Sequence, residues 1–254
     1  MRLLVSVMSS REAPAALDGG AHIVDVKDAS RGPLGRPPAR VVGAVRAAVS
    51  PPRLLSAALG DALASSTALT DAARQLAGHG LDFLKVGLLI RASEAVALLR
   101  ALVDAAADTS PRTRLVAVVY ADAPRPGAPL PLSLPELAAA AGAHGVMLDT
   151  FDKSDGTSLL THMQEPSLLR FASLARDAGL LSGLAGSLTR RDIERLRDVG
   201  PDVVGVRGAA CEGGRTGRVS ADRVRGLLQV VRPLPPLSVT TISHSRPGGT
   251  ALGK

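Results

Sequence analysis

Ile23-Val24-Asp25-Val26-Lys27 decides the fold. The run is short, β-branched and apolar apart from two charges, and side chains alternate along a strand, so Ile23, Asp25 and Lys27 share one face while Val24 and Val26 share the other. Seven further runs match it in length: Leu3–Val7, Leu54–Leu59, Asp82–Gly87, Leu115–Tyr120, Gly145–Asp149, Leu181–Ala185 and Asp202–Arg207. Between them lie helical stretches rich in Ala, Leu and Arg near 11–19, 37–48, 68–79, 93–107, 133–142, 166–178, 189–199 and 220–231. Strands alternating with helices indicate a parallel sheet covered on both faces. Eight such units over residues 1–231 predict an α/β protein of the (β/α)8 TIM-barrel type, since an open doubly wound sheet usually has five or six strands. Residues 232–254, rich in Pro, Ser and Gly, read as a flexible tail.

Composition narrows the function. Of 254 residues, 46% are hydrophobic and 21% charged, and no apolar run is long enough to span a membrane. The apolar start at Met1–Met8 breaks off at Ser9-Ser10-Arg11-Glu12, short for a signal-peptide core, so a cytoplasmic protein is expected. The net charge is +7, yet aromatics make up only 2% and no Trp is present to stack on bases, so neither nucleic acid nor membrane is an expected partner. The single Cys211 and five scattered histidines form no metal-ligand set, and no Walker loop or strand-linked dinucleotide fingerprint occurs. Cys211 reads as a buried filler rather than a nucleophile.

Basic residues divide into 26 Arg and only four Lys, and the three internal ones, Lys27, Lys85 and Lys153, all fall at or just after strand ends. In a barrel those ends form the active-site face. A lysine, unlike an arginine, can lose its proton near neutral pH and attack a carbonyl to form a Schiff base. Valines suit the helix-covered outside, so Asp25 and Lys27 are expected to project into the barrel mouth. Lys85 in Phe83-Leu84-Lys85-Val86-Gly87 follows the same alternation, and crowding of two ammonium groups would depress a pKa. Asp149 and Lys153 add a fourth and fifth titratable group, although a plain ion-pair network uses the same residue types. Tyr120-Ala121-Asp122 offers either a hydroxyl and carboxylate or a helix cap at Asp122.

The last two strand-to-helix loops, Ala185-Gly186-Ser187-Leu188 and Arg207-Gly208-Ala209-Ala210-Cys211-Glu212-Gly213-Gly214, fall where barrels commonly hold a phosphate, although glycines also serve plain turns. Gly186, Ser187, Gly208 and Ala209 are expected to supply backbone N–H groups and Arg207 a fork of donors. A phosphorylated small molecule is the partner implied, and assembly into a homo-oligomer stays open.

From Met1 to about Val231 the chain resembles the (5-formylfuran-3-yl)methyl phosphate synthases, which build the furan ring of methanofuran. The motifs that carry the likeness are Ile23–Lys27, the loop at Gly35, Lys85-Val86-Gly87-Leu88, Tyr120-Ala121-Asp122, Met147-Leu148-Asp149-Thr150, Leu184-Ala185-Gly186-Ser187 and Val204–Cys211. The resemblance implies condensation of two glyceraldehyde 3-phosphate molecules with loss of phosphate and water, and no metal or organic cofactor. It also implies that Lys27 forms the Schiff base and Lys85 accepts a proton, with Asp25, Asp149 and Lys153 assisting. Residues 60–67 and the tail depart from the family pattern. The residues themselves also fit another lysine-imine aldolase of phosphorylated sugars, or a barrel that binds a phosphate ligand without catalysis.

Overall fold

A computed structural model describes residues 1–64, 67–123, 126–154 and 156–231. Eight strands close into a barrel in chain order. They are β1 Arg2–Val7, β2 Ile23–Val26, β3 Leu54–Ala62, β4 Phe83–Leu88, β5 Arg114–Tyr120, β6 Gly145–Asp149, β7 Leu181–Leu184 and β8 Val203–Val206. All neighbours pair in parallel, and β8 returns to β1 through Leu3↔Val204. Outside lie α1 Ala13–Asp18, α2 Ala39–Ala48, α3 Thr67–Ala77, α4 Ala92–Thr109, α5 Leu134–Ala140, α6 Leu159–His162, α7 Glu165–Asp177, α8 Arg190–Val199 and α9 Ala221–Leu228. Among the described residues no helix is long and apolar enough to cross a membrane. The expected tail at 232–254 lies outside the described residues.

Strand alternation produces two separate cores. Val24, Val26, Leu84 and Val86 pack outward under the helices. Leu4, Ile23, Phe83, Val116, Val118 and Met147 fill the inside of the barrel. Gly183 makes room there, because a Cβ at that position would lie 2.6 Å from the Met147 methyl carbon. The barrel is therefore a packed core up to the level of Asp25 and Lys85, above which it opens.

A ring of side-chain acceptors seals the opposite end. The residue just ahead of each even-numbered strand accepts the N–H of the second residue of the preceding odd-numbered strand. Thus Leu3 N donates to His22 Nδ1 at 3.0 Å, Leu55 N to Asp82 Oδ2 at 2.8 Å, Leu115 N to His144 Nδ1 at 3.3 Å and Ser182 N to Asp202 Oδ2 at 2.9 Å. Burial, with Arg53 and Arg2 nearby, lowers the pKa of His22, which keeps its ring neutral and able to accept. These contacts give two of the five histidines structural roles.

Sequence reading ended the third strand at Leu59, but β3 runs on to Ala62 past a register shift between Ala58 and Gly60. Gly60, at φ +103°, supplies the bulge. Two further elements were not expected: the single-turn α6, and a ribbon after β8 formed by β9 Cys211–Glu212 and β10 Arg218–Val219. Both are too short to leave a periodic signal.

The acceptor ring is testable at Asp202, which also takes the Ser182 hydroxyl at 3.0 Å. Asp202→Ala leaves a backbone N–H of a nearly closed strand end unpaired and should lower stability by about 1–3 kcal/mol. Thermal unfolding should show a fall in Tm of roughly 2–10 °C.

Candidate active site

Strand register assembles the floor of the site. Ser6, Asp25 and Ser56 lie side by side on β1, β2 and β3. The wholly buried Asp25 carboxylate accepts the Ser6 hydroxyl at 2.9 Å on Oδ2 and the Ser56 hydroxyl on Oδ1. Lys85 Nζ pairs with Oδ2 at 2.8 Å. Burial alone would raise the Asp25 pKa, but Lys85, Lys27 and the Lys85 and Ser56 bonds outweigh it and hold the carboxyl below the usual range.

A second pair stands on β6 and its loop. Asp149 Oδ1 accepts Lys153 Nζ at 2.6 Å and the Thr150 N–H at 2.8 Å. Burial again opposes ionisation, and Lys153, Lys27 and these bonds again prevail, so Asp149 also lies low. Lys153 donates a further bond to the Thr150 hydroxyl at 2.6 Å.

Lys27 sits between the pairs, 6% exposed, just past the end of β2. Its amine has no carboxylate within bonding distance among the described residues and donates to the Pro33 carbonyl at 3.1 Å. Burial lowers its pKa from 10.5 to about 7; Lys85 and Arg215 add to the fall, against Asp149 and Asp25. Crowding by cations is present, as the sequence suggested, but desolvation is the larger cause. Gly35 keeps the loop that carries Pro33 in place, since a Cβ there would lie 2.1 Å from the Asp28 carbonyl oxygen.

A cavity of about 560 Å³ opens above Lys27, Lys85, Asp149 and Lys153. Asp25 lies beneath it, in contact with Lys85. Gly186, Ser187, Gly208 and Ala209 line the opposite wall, beside Leu188 and Thr189 where α8 begins. Gly186 at φ +105° tolerates no side chain, because a Cβ would meet Thr150 at 2.9 Å. Thr189 closes a reciprocal cap with Asp192, which points the first turn of α8 at this wall.

Arg207 also borders the cavity, but the fork of donors expected for phosphate is already occupied. Its guanidinium donates to Ser6 O, both Glu12 carboxylate oxygens, Arg215 O and Gly217 O at 2.8–3.2 Å. Arg207 is thus a brace between β1, β8 and the ribbon. Asp122 is not a helix cap: its carboxylate accepts the N–H groups of Phe151 and Asp152, at 2.6 and 2.8 Å, and pins the loop that carries Lys153. Tyr120 donates its hydroxyl to Asp61, and the buried phenol is pushed far above its ordinary pKa by burial and by that carboxylate. Sequence reading missed Asp61. Strict alternation beyond Ala58 would turn it outward, and only the glycine at 60 signals the bulge that brings it in. Cys211 is buried, with its thiol pKa raised chiefly by burial.

The closed barrel and the lysine–carboxylate cluster at its mouth define a (β/α)8-barrel enzyme. Residues 3–228 match the family model described as 4-HFC-P synthase, and the chain belongs to that family. It is 43% identical to the (5-formylfuran-3-yl)methyl phosphate synthase of Methanothermobacter thermautotrophicus over 235 residues, covering 91% of this chain and 99% of that one. It is 39% identical to the synthase of the same name from Archaeoglobus fulgidus over 234 residues, again 91% and 99% of the two chains. Among solved structures, it matches KGPDC from Streptococcus mutans at a TM-score of 0.64 and 16% identity, covering 90% of this chain and 96% of that one. The 3-hexulose-6-phosphate synthase of Salmonella typhimurium gives 0.62 and 18%, with 90% and 99% covered. At such identities the two show the shared barrel alone.

The depressed Lys27 amine makes a stability prediction with a definite sign. Because its pKa is near 7 folded and near 10.5 unfolded, the unfolded chain binds the extra proton between those values. The resulting penalty is largest below pH 7 and fades as pH rises toward 10.5. Lys27→Met should therefore raise Tm at about pH 6–7, by the equivalent of a few kcal/mol at most, and the gap to the parent should close by about pH 10.

Proposed function

We propose that the protein condenses two molecules of glyceraldehyde 3-phosphate into (5-formylfuran-3-yl)methyl phosphate through a Schiff base on Lys27, as a step of methanofuran biosynthesis. The observation that carries this reading is the Lys27 amine, titrating near neutrality at the cavity floor and flanked by two lysine–carboxylate pairs. Family membership supplies the furan product.

The neutral Lys27 amine adds to the aldehyde carbon, and the carbinolamine oxygen leaves as water after taking a proton from Lys85. The imine is an electron sink, so the α-hydrogen becomes acidic and the now neutral Lys85 removes it. The electron pair moves toward the β-carbon and expels phosphate. Carbon–carbon bond formation to the second triose, ring closure and dehydration follow, with Asp149 and Lys153 as the second proton-transfer pair. Asp25 holds Lys85 in place for these transfers. Two trioses equal the product plus one phosphate and two waters, so no electrons are left over and the reaction calls for no redox cofactor. The wall of Gly186, Ser187, Gly208 and Ala209 offers backbone donors for a substrate phosphate.

Incubation with glyceraldehyde 3-phosphate and borohydride should add one triose-derived mass on the peptide bearing Lys27, and incubation alone should yield a product with furan absorbance in the near ultraviolet. Lys27→Arg should give neither. Lys85→Met should trap the imine only slowly, on prolonged incubation, while turnover falls by roughly 10²–10⁴-fold. An adduct without a furan product would point to a lysine-imine aldolase instead. Full turnover by both variants would overturn the mechanism.

A further inference from the structure

Both trioses enter the cavity carrying a phosphate, and the backbone wall at β7 and β8 provides for one. The other cations around the cavity are largely committed: Lys85 to Asp25, Lys153 to Asp149 and Arg207 to Glu12. Arg223 and Arg215 also line the cavity without a carboxylate partner among the described residues, but Arg223 is exposed, which leaves Arg215 as the half-buried uncommitted arginine. It lies on the turn between β9 and β10, half-buried, and lines the cavity. Among the described residues it has no carboxylate within ion-pair distance, and its single side-chain hydrogen bond is a long one of 3.3 Å from a terminal nitrogen to the Gly32 carbonyl.

The surrounding chain is built to present this side chain. Arg207 grips the turn by donating to the carbonyls of Arg215 and Gly217 at 2.8 and 3.1 Å. Gly217 is confined to glycine, because a Cβ would lie 1.6 Å from the Glu212 carbonyl oxygen. The Cys211↔Val219 and Arg218↔Glu212 pairs close the ribbon beneath. Burial depresses the Arg215 pKa, with Arg207 adding to it against Asp149, but a guanidinium stays charged across the accessible range. The result is an ordered, half-desolvated cation with most of its donors unspent, close enough to Lys27 to act on its charge.

We propose that Arg215 forms a second anion subsite, which holds the phosphate of one triose while the β7 and β8 loops hold the other. The subsite rests on the furan-forming reading for its natural occupant, though not for its existence. Arg207 is then a positioning residue, and the donor role that the sequence suggested for it passes to Arg215. The Gly32 bond adds a link: a phosphate that draws Arg215 toward the cavity competes with the carbonyl next to Pro33, whose own carbonyl holds the Lys27 amine.

Equilibrium dialysis of the purified protein with labelled inorganic phosphate tests this without any turnover. The parent should bind two phosphates per chain and Arg215→Met one, with an unchanged circular-dichroism spectrum; Arg215→Lys should recover part of the second. In turnover with glyceraldehyde 3-phosphate, Arg215→Met should raise KM about tenfold or more while the borohydride adduct on Lys27 still forms. Two phosphates on Arg215→Met, or one on the parent, would overturn the subsite. A protein that binds two phosphates in this Arg215-dependent way but makes no furan would overturn the proposed reaction and leave the subsite standing.

Discussion

The carboxylate of Asp25 is the constraint on which the site rests. Wholly buried, it stays ionised because three strands deliver partners to it at once, two hydroxyls in register and the Lys85 ammonium from β4. Those strands and β2 are consecutive neighbours in the barrel wall, so their parallel pairing is what gathers the partners and the buried charge depends on that register. A shift of β2 by one residue would point Asp25 into the apolar shell under the helices and strand Lys85 in the core. The same shift would remove Lys27 from the mouth. Fold and chemistry are thus fixed by one alignment of neighbouring strands.

Much of this could be read from residue order. The two-residue period assigned Asp25 and Lys85 to the inside and their valine and leucine neighbours to the outside, and the two cores follow that division. The positions of Lys27 and Lys153 beyond strand ends were legible for the same reason, since strand ends define the mouth. Asp61 was not legible: the bulge at Gly60 changes the phase of alternation, and a single glycine is a weak sign of such a change. Arg207 was placed correctly but given the wrong partners. Its bond to Glu12 joins opposite ends of the described chain, and no local pattern encodes that. The ribbon of β9 and β10 is hidden in the same way, because two-residue strands carry no period.

The two lysine–carboxylate pairs do different work despite their likeness. Lys85 and Asp25 belong to strands and are packed from every side, so their geometry is as rigid as the barrel wall. Lys153 stands on a loop that Asp122 pins through two backbone bonds. Rigid placement suits a group that must meet one carbon of a bound substrate, and looser placement suits a group that serves several proton transfers in turn.

The acceptors ahead of the even-numbered strands have a consequence for how freely the protein can change. Each links its own pair of adjoining strands with a side chain at the end remote from the chemistry, so these four pairings do not depend on the loops around the cavity. Those loops can then be exchanged, lengthened or reshaped for another reaction while the staves stay hooped from below, much as a cask keeps its form whatever is done to its lid.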